Sequence, residues 1–351
     1  MTDHRKYKMP PEWHPHVGTQ LHWPSNRNTW PGKRLQRVEQ VYLNIIEILH
    51  RFERIHLFIE EQALGHARSL MENRSIDFSQ VTIHEYPIND VWARDCGPIF
   101  VLKDNSERQE IAITDWEYNA WGGKYPPFDA DNNLPAYIAD YYDIPRFEPQ
   151  MVLEGGAIET NGHGMLLTTE SVLLNPNRNP DLSRKEVEQR LKDYLGIQKI
   201  IWLKEGLAGD DTDGHIDDLA RFLNKDTILA MTVDDPEDVN YDVLQRNLEI
   251  LYKSTDQEGN SFQIETLPLP QTRIKGTTVD GSEHVPASYA NFYIANGVVL
   301  MPVYDDPADQ QAISLMDRNF PDREVVGIQC SDLVWGQGAI HCITQPWYGL
   351  S

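Results

Sequence analysis

Cys342 stands directly behind a glycine-rich turn. It is preceded by Trp335-Gly336-Gln337-Gly338-Ala339-Ile340-His341. Glycine lets a backbone approach a ligand closely or take φ > 0, and a thiolate is the strongest nucleophile that a side chain offers near neutral pH. The plain alternative is a buried structural cysteine, the common fate of a lone thiol. His215, inside Asp210-Asp211-Thr212-Asp213-Gly214-His215-Ile216-Asp217-Asp218, is the candidate acid/base. Its neighbour two places on, Asp217, shares its face if the segment is extended. Two more segments set carboxylates beside glycines: Trp92-Ala93-Arg94-Asp95-Cys96-Gly97-Pro98 and Glu154-Gly155-Gly156-Ala157. Ile340 to Thr344 reads as a short strand, on which His341 would point away from Cys342 and take a supporting or core place.

A thiol enzyme of acyl transfer needs oxyanion donors more than a ring of carboxylates. Asp95, Glu154 and Asp217 around a thiol suit a cation instead, and carboxylates grip a planar guanidinium with paired hydrogen bonds. The run 210–218 fails as a calcium loop: with Gly214 in the sixth place, Gly209 and Ala220 stand where an EF-hand has acidic residues. A solvated acidic turn is the other reading of that run. Gly122-Gly123-Lys124 lacks the first glycine of a phosphate loop, since Tyr118 is there.

The balance of the chain agrees with a cationic ligand. Among 351 residues, 54 Asp+Glu face 31 Lys+Arg, a net charge of -23. Such a chain should repel nucleic acid and anionic membrane surfaces and attract a small cation, although acidity also serves solubility alone. Three cysteines without a CxxC spacing suit neither a disulfide framework nor zinc. The polar, basic start has no apolar stretch of a signal peptide, and no run is long enough for a membrane span. The expectation is a cytoplasmic protein; a homo-oligomer is compatible with it.

These residues need elements to position them. Apolar spacing predicts helices over Lys33–Phe52, Gln62–Glu72, Arg184–Leu195, Pro236–Lys253 and Pro307–Arg318. Strands are predicted over Ile55–Ile59, Val81–Tyr86, Lys199–Leu203, Gln263–Leu267 and Glu324–Ile328. Leu219–Leu223 with Thr227–Thr232, and Asn291–Ala295 with Val298–Pro302 around Asn296-Gly297, read as hairpins. The order hairpin, helix, strand therefore occurs at about 220–267 and again at 291–328, the mark of a repeat that closes radially. No linker divides residues 1–351, so one domain is expected.

The motifs, taken in order, resemble the agmatine deiminases, within the Porphyromonas-type peptidylarginine deiminase family of the guanidine-modifying (pentein) superfamily. They are Met9-Pro10-Pro11-Glu12-Trp13, His22-Trp23-Pro24, Trp92-Ala93-Arg94-Asp95, Asn119-Ala120-Trp121-Gly122-Gly123-Lys124, Glu154-Gly155-Gly156, Thr212-Asp213-Gly214-His215-Ile216-Asp217 and Gly338-Ala339-Ile340-His341-Cys342-Ile343-Thr344-Gln345. The resemblance implies a five-bladed α/β propeller with pseudo-fivefold repeats and the site at its centre. It implies Cys342 as nucleophile, His215 as general acid/base with Glu154 as its partner, and Asp95 and Asp217 as the guanidinium clasp. It further implies Trp92, Glu205 and Asp211 as contacts for the methylene chain and far amine. The activity implied is hydrolysis of agmatine to N-carbamoylputrescine and ammonia, without metal or cofactor, in putrescine formation. A deiminase of free or C-terminal peptidyl arginine, with Arg94 or Lys124 facing the carboxylate, is the alternative; a silent polyamine-binding protein is another. Gln337 replaces a glycine usual in the family, Asp218 stands where Asn is common, and Pro346 follows Gln345.

Overall fold

Between strands β1 (Gly18–His22) and β2 (Ile55–Ile59) runs the helix Arg34–Leu49. Its Leu35, Val38, Tyr42, Ile45, Ile46 and Leu49 return at helical spacing and are all buried, forming the stripe by which a helix packs on a sheet. A helical crossover makes β1 and β2 parallel. A second helix, Glu61–Glu72, leads to β3 (Val81–Glu85), parallel to β2. The computed structural model describes residues 3–104, 109–271, 281–282 and 284–349.

The same order then repeats. β4 (Ile99–Asp104) and β5 (Gln109–Thr114) are antiparallel, and helix Leu134–Tyr142 carries the chain to β6 (Arg146–Phe147), parallel to β5. β7 (Glu159–Thr160) and β8 (Met165–Thr169) are followed by helix Arg184–Leu195 and β9 (Lys199–Leu203). β10 (Ala220–Phe222) and β11 (Thr227–Thr232) are followed by helix Tyr241–Lys253 and β12 (Gln263–Pro268). β13 (Tyr293–Ala295) and β14 (Val298–Val303) are followed by helix Asp309–Asn319 and β15 (Glu324–Gln329). The last strand, β16 (Gln345–Trp347), lies antiparallel on β1, so the end of the chain supplies to the first sheet what the hairpins supply to the others. The result is a mixed α/β fold with five sheets among the described residues.

Two expected elements differ. The helix expected from Pro236 begins at Tyr241, because Asp235 and Asp238 accept the backbone N–H groups of Glu237 and Asn240 in local turns. Residues 340–344 are a turn, not a strand. The backbone N–H groups of His341 and Cys342 donate to the side chain of Asn291, and Thr344 bonds back to Ile340 and His341, so the segment's backbone is drawn into a local turn rather than a ladder.

The turn is nevertheless rigid, since Ala339, Ile340, Cys342 and Ile343 belong to the largest apolar core. Asp95, Glu154, Asp217, Asn291 and Cys342 each lie two to five residues before the first strand of an antiparallel pair, one for each sheet. Among the described residues no helix is long and apolar enough to cross a membrane.

Candidate active site

Cys342 is 4% exposed. Its sulfur lies 3.1 Å from Asn291 Nδ2 and 3.7 Å from Asp217 Oδ2. Gly338 must be a glycine: a β-carbon there would fall 2.5 Å from the Trp92 ring and 3.0 Å from Cys342 Sγ. Gln337, next to it, lies at φ 80°, the left-handed region where glycine is at ease. A glycine, which the family resemblance implies at this place, would take that conformation without strain. Burial pushes the Cys342 thiol well up, and Asp217, Asp218 and Asp95 add to it, against the Asn291 N–H.

His215, Asp95 and Asp217 meet over Gly156. A β-carbon on Gly156 would fall 2.6 Å from His215 Nδ1, 2.7 Å from Asp95 Oδ1 and 3.1 Å from Asp217 Oδ2, so only glycine lets the three converge. Asp95 Oδ1 accepts the Gly156 N–H at 3.0 Å and Asp95 Oδ2 the Trp121 indole N–H at 3.0 Å. The turn aiming that indole holds Ala120 and Trp121 at φ 51° and 56°, a conformation costing about 1–2 kcal/mol per residue. Burial raises Asp95 to about 6, with His215 opposing and Asp217 and Glu154 adding. Asp217 resists the same burial and is held low by the His341 hydrogen bond at 2.6 Å and the charges of His341, His215 and Arg221. Burial opposes the charge on His215 too, but Asp95, Asp217, Glu154 and Asp210 raise it. His341, expected to turn away, sits between Asp217 and Glu12, with Nε2 3.0 Å from Glu12 Oε2; in a turn the alternation of a strand does not apply.

Glu154 is fully buried, and its Oε1 accepts from Arg178 Nε. Arg178 also donates to Asp213 Oδ2 at 2.7 Å and to the Thr212 carbonyl at 2.8 Å. It thus ties Glu154 to the loop that carries His215; Glu154 acts on His215 by charge, while its hydrogen bond goes to Arg178. Sequence reasoning missed Arg178, which sits in Asn177-Arg178-Asn179 with no flanking glycine. It also missed Asn291 and Asp218 as neighbours: Asn291 Nδ2 donates to Asp218 Oδ1 at 3.0 Å.

A narrow cavity opens on Cys342 and Asp95. Trp92, Trp121 and Tyr125 form apolar walls, and Asp90 and Asp211 stand in its lining. Asp211 Oδ2 accepts the Tyr125 hydroxyl at 2.6 Å, and Asp90 accepts Thr29 at 2.7 Å and Asn26 at 2.9 Å. Trp92 and Asp211 therefore line this cavity. Glu205 is not in its lining: its side chain is 62% exposed, beyond the end of β9, and lies 3.7 Å from Arg246. Asp90 was missed, since it follows Ile88-Asn89 without a glycine to mark it. The two cations considered for a substrate carboxylate are engaged elsewhere. Arg94 is buried against Glu12 at 2.7 Å, and Lys124 pairs with Asp213 at 2.8 Å.

Among the described residues one cluster has metal-ligand composition, His22, Cys96 and Asp131, with donor atoms within 4.8 Å of one another. Each is already used. His22 bonds Gln20 at 2.8 Å and the Asp90 carbonyl at 3.1 Å, Cys96 donates to the Trp92 carbonyl at 3.3 Å, and Asp131 accepts from the backbone of Asn89 and Asp90. Burial raises Asp131 to about 8 and lowers His22 to about 4, favouring the neutral form of each. They brace the loop that presents Asp90 and Trp92.

The family described as Porphyromonas-type peptidyl-arginine deiminase matches residues 8–347. The agmatine deiminase of Pseudomonas syringae pv. tomato is 36% identical over 359 residues, covering 97% of this chain and 95% of that protein. The solved agmatine deiminase of Enterococcus faecalis superposes with a TM-score of 0.89 at 32% identity, over 97% of this chain and 96% of that one. A cysteine-to-serine variant of C. jejuni agmatine deiminase with substrate bound gives 0.86 at 28% identity, over 98% and 96%. An amidinotransferase from Microseira wollei, 11% identical with a TM-score of 0.52, shares the fold alone. With glycines that admit a thiol, a histidine and two carboxylates to one buried point, and with matches along nearly its whole length, the chain belongs to the Porphyromonas-type peptidyl-arginine deiminase family.

Proposed function

We propose that this protein is an agmatine iminohydrolase. One observation carries the reading. Around the buried thiol, Asp217 Oδ1, Glu154 Oε2 and both ring nitrogens of His215 are buried with no protein hydrogen-bond partner among the described residues. Each such atom costs about 1–3 kcal/mol if left unmatched. A guanidinium, planar, cationic and donor-only, satisfies the carboxylates together.

In this reading Asp95 and Asp217 clasp the guanidinium. Its positive charge offsets the carboxylates that hold the thiol up, so binding favours the Cys342 thiolate. The sulfur attacks the central carbon. His215, raised toward its charged form, gives a proton to one nitrogen, which leaves as ammonia. An S-alkylthiouronium remains. Neutral His215 then takes a proton from water, the hydroxide adds to the same carbon, and the C–S bond breaks to give N-carbamoylputrescine and the thiol. Glu154, held by Arg178, orients the charge on His215. Cysteine supplies the nucleophile and histidine the proton traffic, so the scheme calls on neither metal nor organic cofactor.

The aromatic walls suit the four-carbon chain, and Asp90 and Asp211 suit the far ammonium in place of Glu205. Engagement of Arg94 and Lys124 elsewhere speaks for agmatine over arginine. The five sheets suit the blades of a five-bladed propeller, one catalytic domain over residues 1–351, and the reading places the enzyme in the cytoplasm. The test is ammonia and ureido-product release from agmatine, arginine and a C-terminal arginyl peptide, side by side. We expect kcat/KM for agmatine to exceed the others by about a hundredfold or more. Equal turnover of arginine would falsify the assignment, and absence of turnover with retained agmatine binding would favour a silent binder.

A further inference from the structure

We propose that Asn291 is a catalytic residue: its amide N–H holds the sulfur of Cys342 as an anion at the moment of attack. This rests on the reading of Cys342 as the nucleophile, which nothing else assigned to Asn291.

The geometry leaves the amide no choice of orientation. Asn291 is 1% exposed. Its Oδ1 lies 2.9 Å from the backbone N of His341 and 3.3 Å from that of Cys342. Backbone N–H groups only donate, so the oxygen must face them and the nitrogen must face the other way. There Nδ2 meets Cys342 Sγ at 3.1 Å and Asp218 Oδ1 at 3.0 Å. Both amide hydrogens and the carbonyl oxygen are used, in a buried place beside the cavity. The same side chain builds the turn that carries the cysteine and points a donor at its sulfur.

The place in the chain agrees independently. Asp95, Glu154, Asp217 and Cys342 occupy the approach to β4, β7, β10 and β16, and Asn291 occupies the approach to β13. Four of the five sheets thus deliver a residue of the proposed reaction from this position, and Asn291 is what the fifth delivers.

The chemistry explains why an amide stands there. The titratable groups facing the sulfur are Asp217, Asp218 and Asp95, with Tyr42 from helix Arg34–Leu49; His341 and His215 act on Asp217. A lysine or arginine beside the sulfur would stabilise a thiolate but would also neutralise the carboxylates that the guanidinium needs. A neutral donor assists the anion and leaves the clasp charged. Hydrogen bonds to ionised groups are the strong ones.

The experiment measures alkylation of Cys342 by iodoacetamide against pH, located by peptide mass spectrometry, in wild type, Asn291→Ala and Asn291→Asp. Turnover of agmatine is measured over the same range. Asn291→Asp keeps the oxygen that receives the two backbone N–H groups, so it preserves the turn if the alanine variant loses it. We expect the alkylation midpoint to rise by about one to two pH units. We expect kcat at neutral pH to fall about ten- to a hundredfold with KM changed less than about threefold, and the deficit to shrink as pH rises. The carboxylate of Asn291→Asp raises the midpoint by its own charge as well, so a rise there is no support by itself; an unshifted alkylation midpoint in either folded variant, or a loss of kcat equal at every pH, would overturn the proposal. Alkylation requires no substrate. A wild-type enzyme inert toward agmatine therefore counts against the functional reading alone.

Discussion

Two buried clusters of charge lie back to back, and His341 joins them. On one side Glu12 accepts from Arg221 at 3.0 Å, the Ile294 N–H at 2.8 Å, Arg94 at 2.7 Å and His341 at 3.0 Å, while Arg221 Nε pairs with Glu159 at 2.9 Å. On the other side Asp95, Asp217 and His215 converge with acceptors and ring nitrogens left unmatched. The first cluster is internally neutralised, and burial of Glu12 is overcome by Arg221, His341 and Arg94, which hold it well below the usual carboxylate range. In the second, burial wins at Asp95. Buried charge supplied with its own partners is architecture; buried charge lacking them awaits a ligand. Glu12 and Asp95 shift in opposite directions, while Glu159 beside Arg221 is raised by burial and Asp217 is held low by His341, so each shift follows the partners of its own carboxylate.

The largest effect should come from the atom that faces both thiol chemistry and the unmatched side. Cys342→Ser should lower ammonia release by at least about a thousandfold while the protein stays folded, since a hydroxyl is far less ionised than a thiol. Rates within tenfold of wild type in a purified, folded variant would remove the nucleophile from the scheme.

Paired substitutions test the two clusters directly. Glu12→Gln leaves two buried arginines without their anion and should cost about 3–5 kcal/mol of stability, read as a lower Tm. Asp95→Asn removes a charge that the free protein disfavours, offset by one amide hydrogen turned against a donor. It should change Tm much less, yet lower kcat/KM by about a hundredfold or more. If Asp95→Asn proves the more destabilising of the two, the distinction between the clusters is wrong.

Asp95 and Glu12 should also respond to pH in opposite senses. Asp95, raised to about 6, contributes stability below the ordinary carboxylate range that is lost as pH rises through about 6. Glu12, held low, contributes stability above that range that is lost as pH falls through its own lower value. Because the guanidinium requires ionised Asp95, kcat/KM should climb with pH through about 6, by up to about tenfold per unit below it. Melting curves and rate profiles from pH 4 to 8 check both signs, and Asp95→Asn should flatten that acidic limb.

The smallest effect belongs to the surface. Glu205→Gln should change kcat/KM for agmatine by less than about twofold, because an exposed pair with Arg246 contributes little. Asp90→Asn or Asp211→Asn should lower it by about tenfold, chiefly through KM. A reversal of that order in side-by-side kinetics would return the ammonium to Glu205.

Much of the frame was readable from the order of residues. The helix Arg184–Leu195 and strands Ile55–Ile59 and Lys199–Leu203 fall where periodicity put them, because their apolar spacing matches the surface they bury. Strands of two or three residues such as β6, β7 and β16 carry too few side chains for a period. Cys342, His215, Asp95, Asp217 and Glu154 stood out because close convergence requires glycines beside them, and Gly156 and Gly338 show that need. Arg178, Asn291 and Asp90 reach the site from segments with no such mark. The expectation for Ile340–Thr344 failed because a side chain 50 residues away in sequence took its backbone donors.

The sequence alone therefore determined which chemical groups are present, their acidity in sum, and the repeating order of hairpin, helix and strand. These depend on residue type and short-range spacing. The tertiary structure alone decided which charges are matched. Glu12 and Asp95 are both carboxylates within three residues of a motif tryptophan, and the glycine near Asp95 marks a close approach without telling whether the charge is matched. One is enclosed by Arg94 and Arg221 and the other faces a cavity. Whether a buried charge is compensated depends on groups brought within a few ångströms from distant strands, so it is a property of the folded interior.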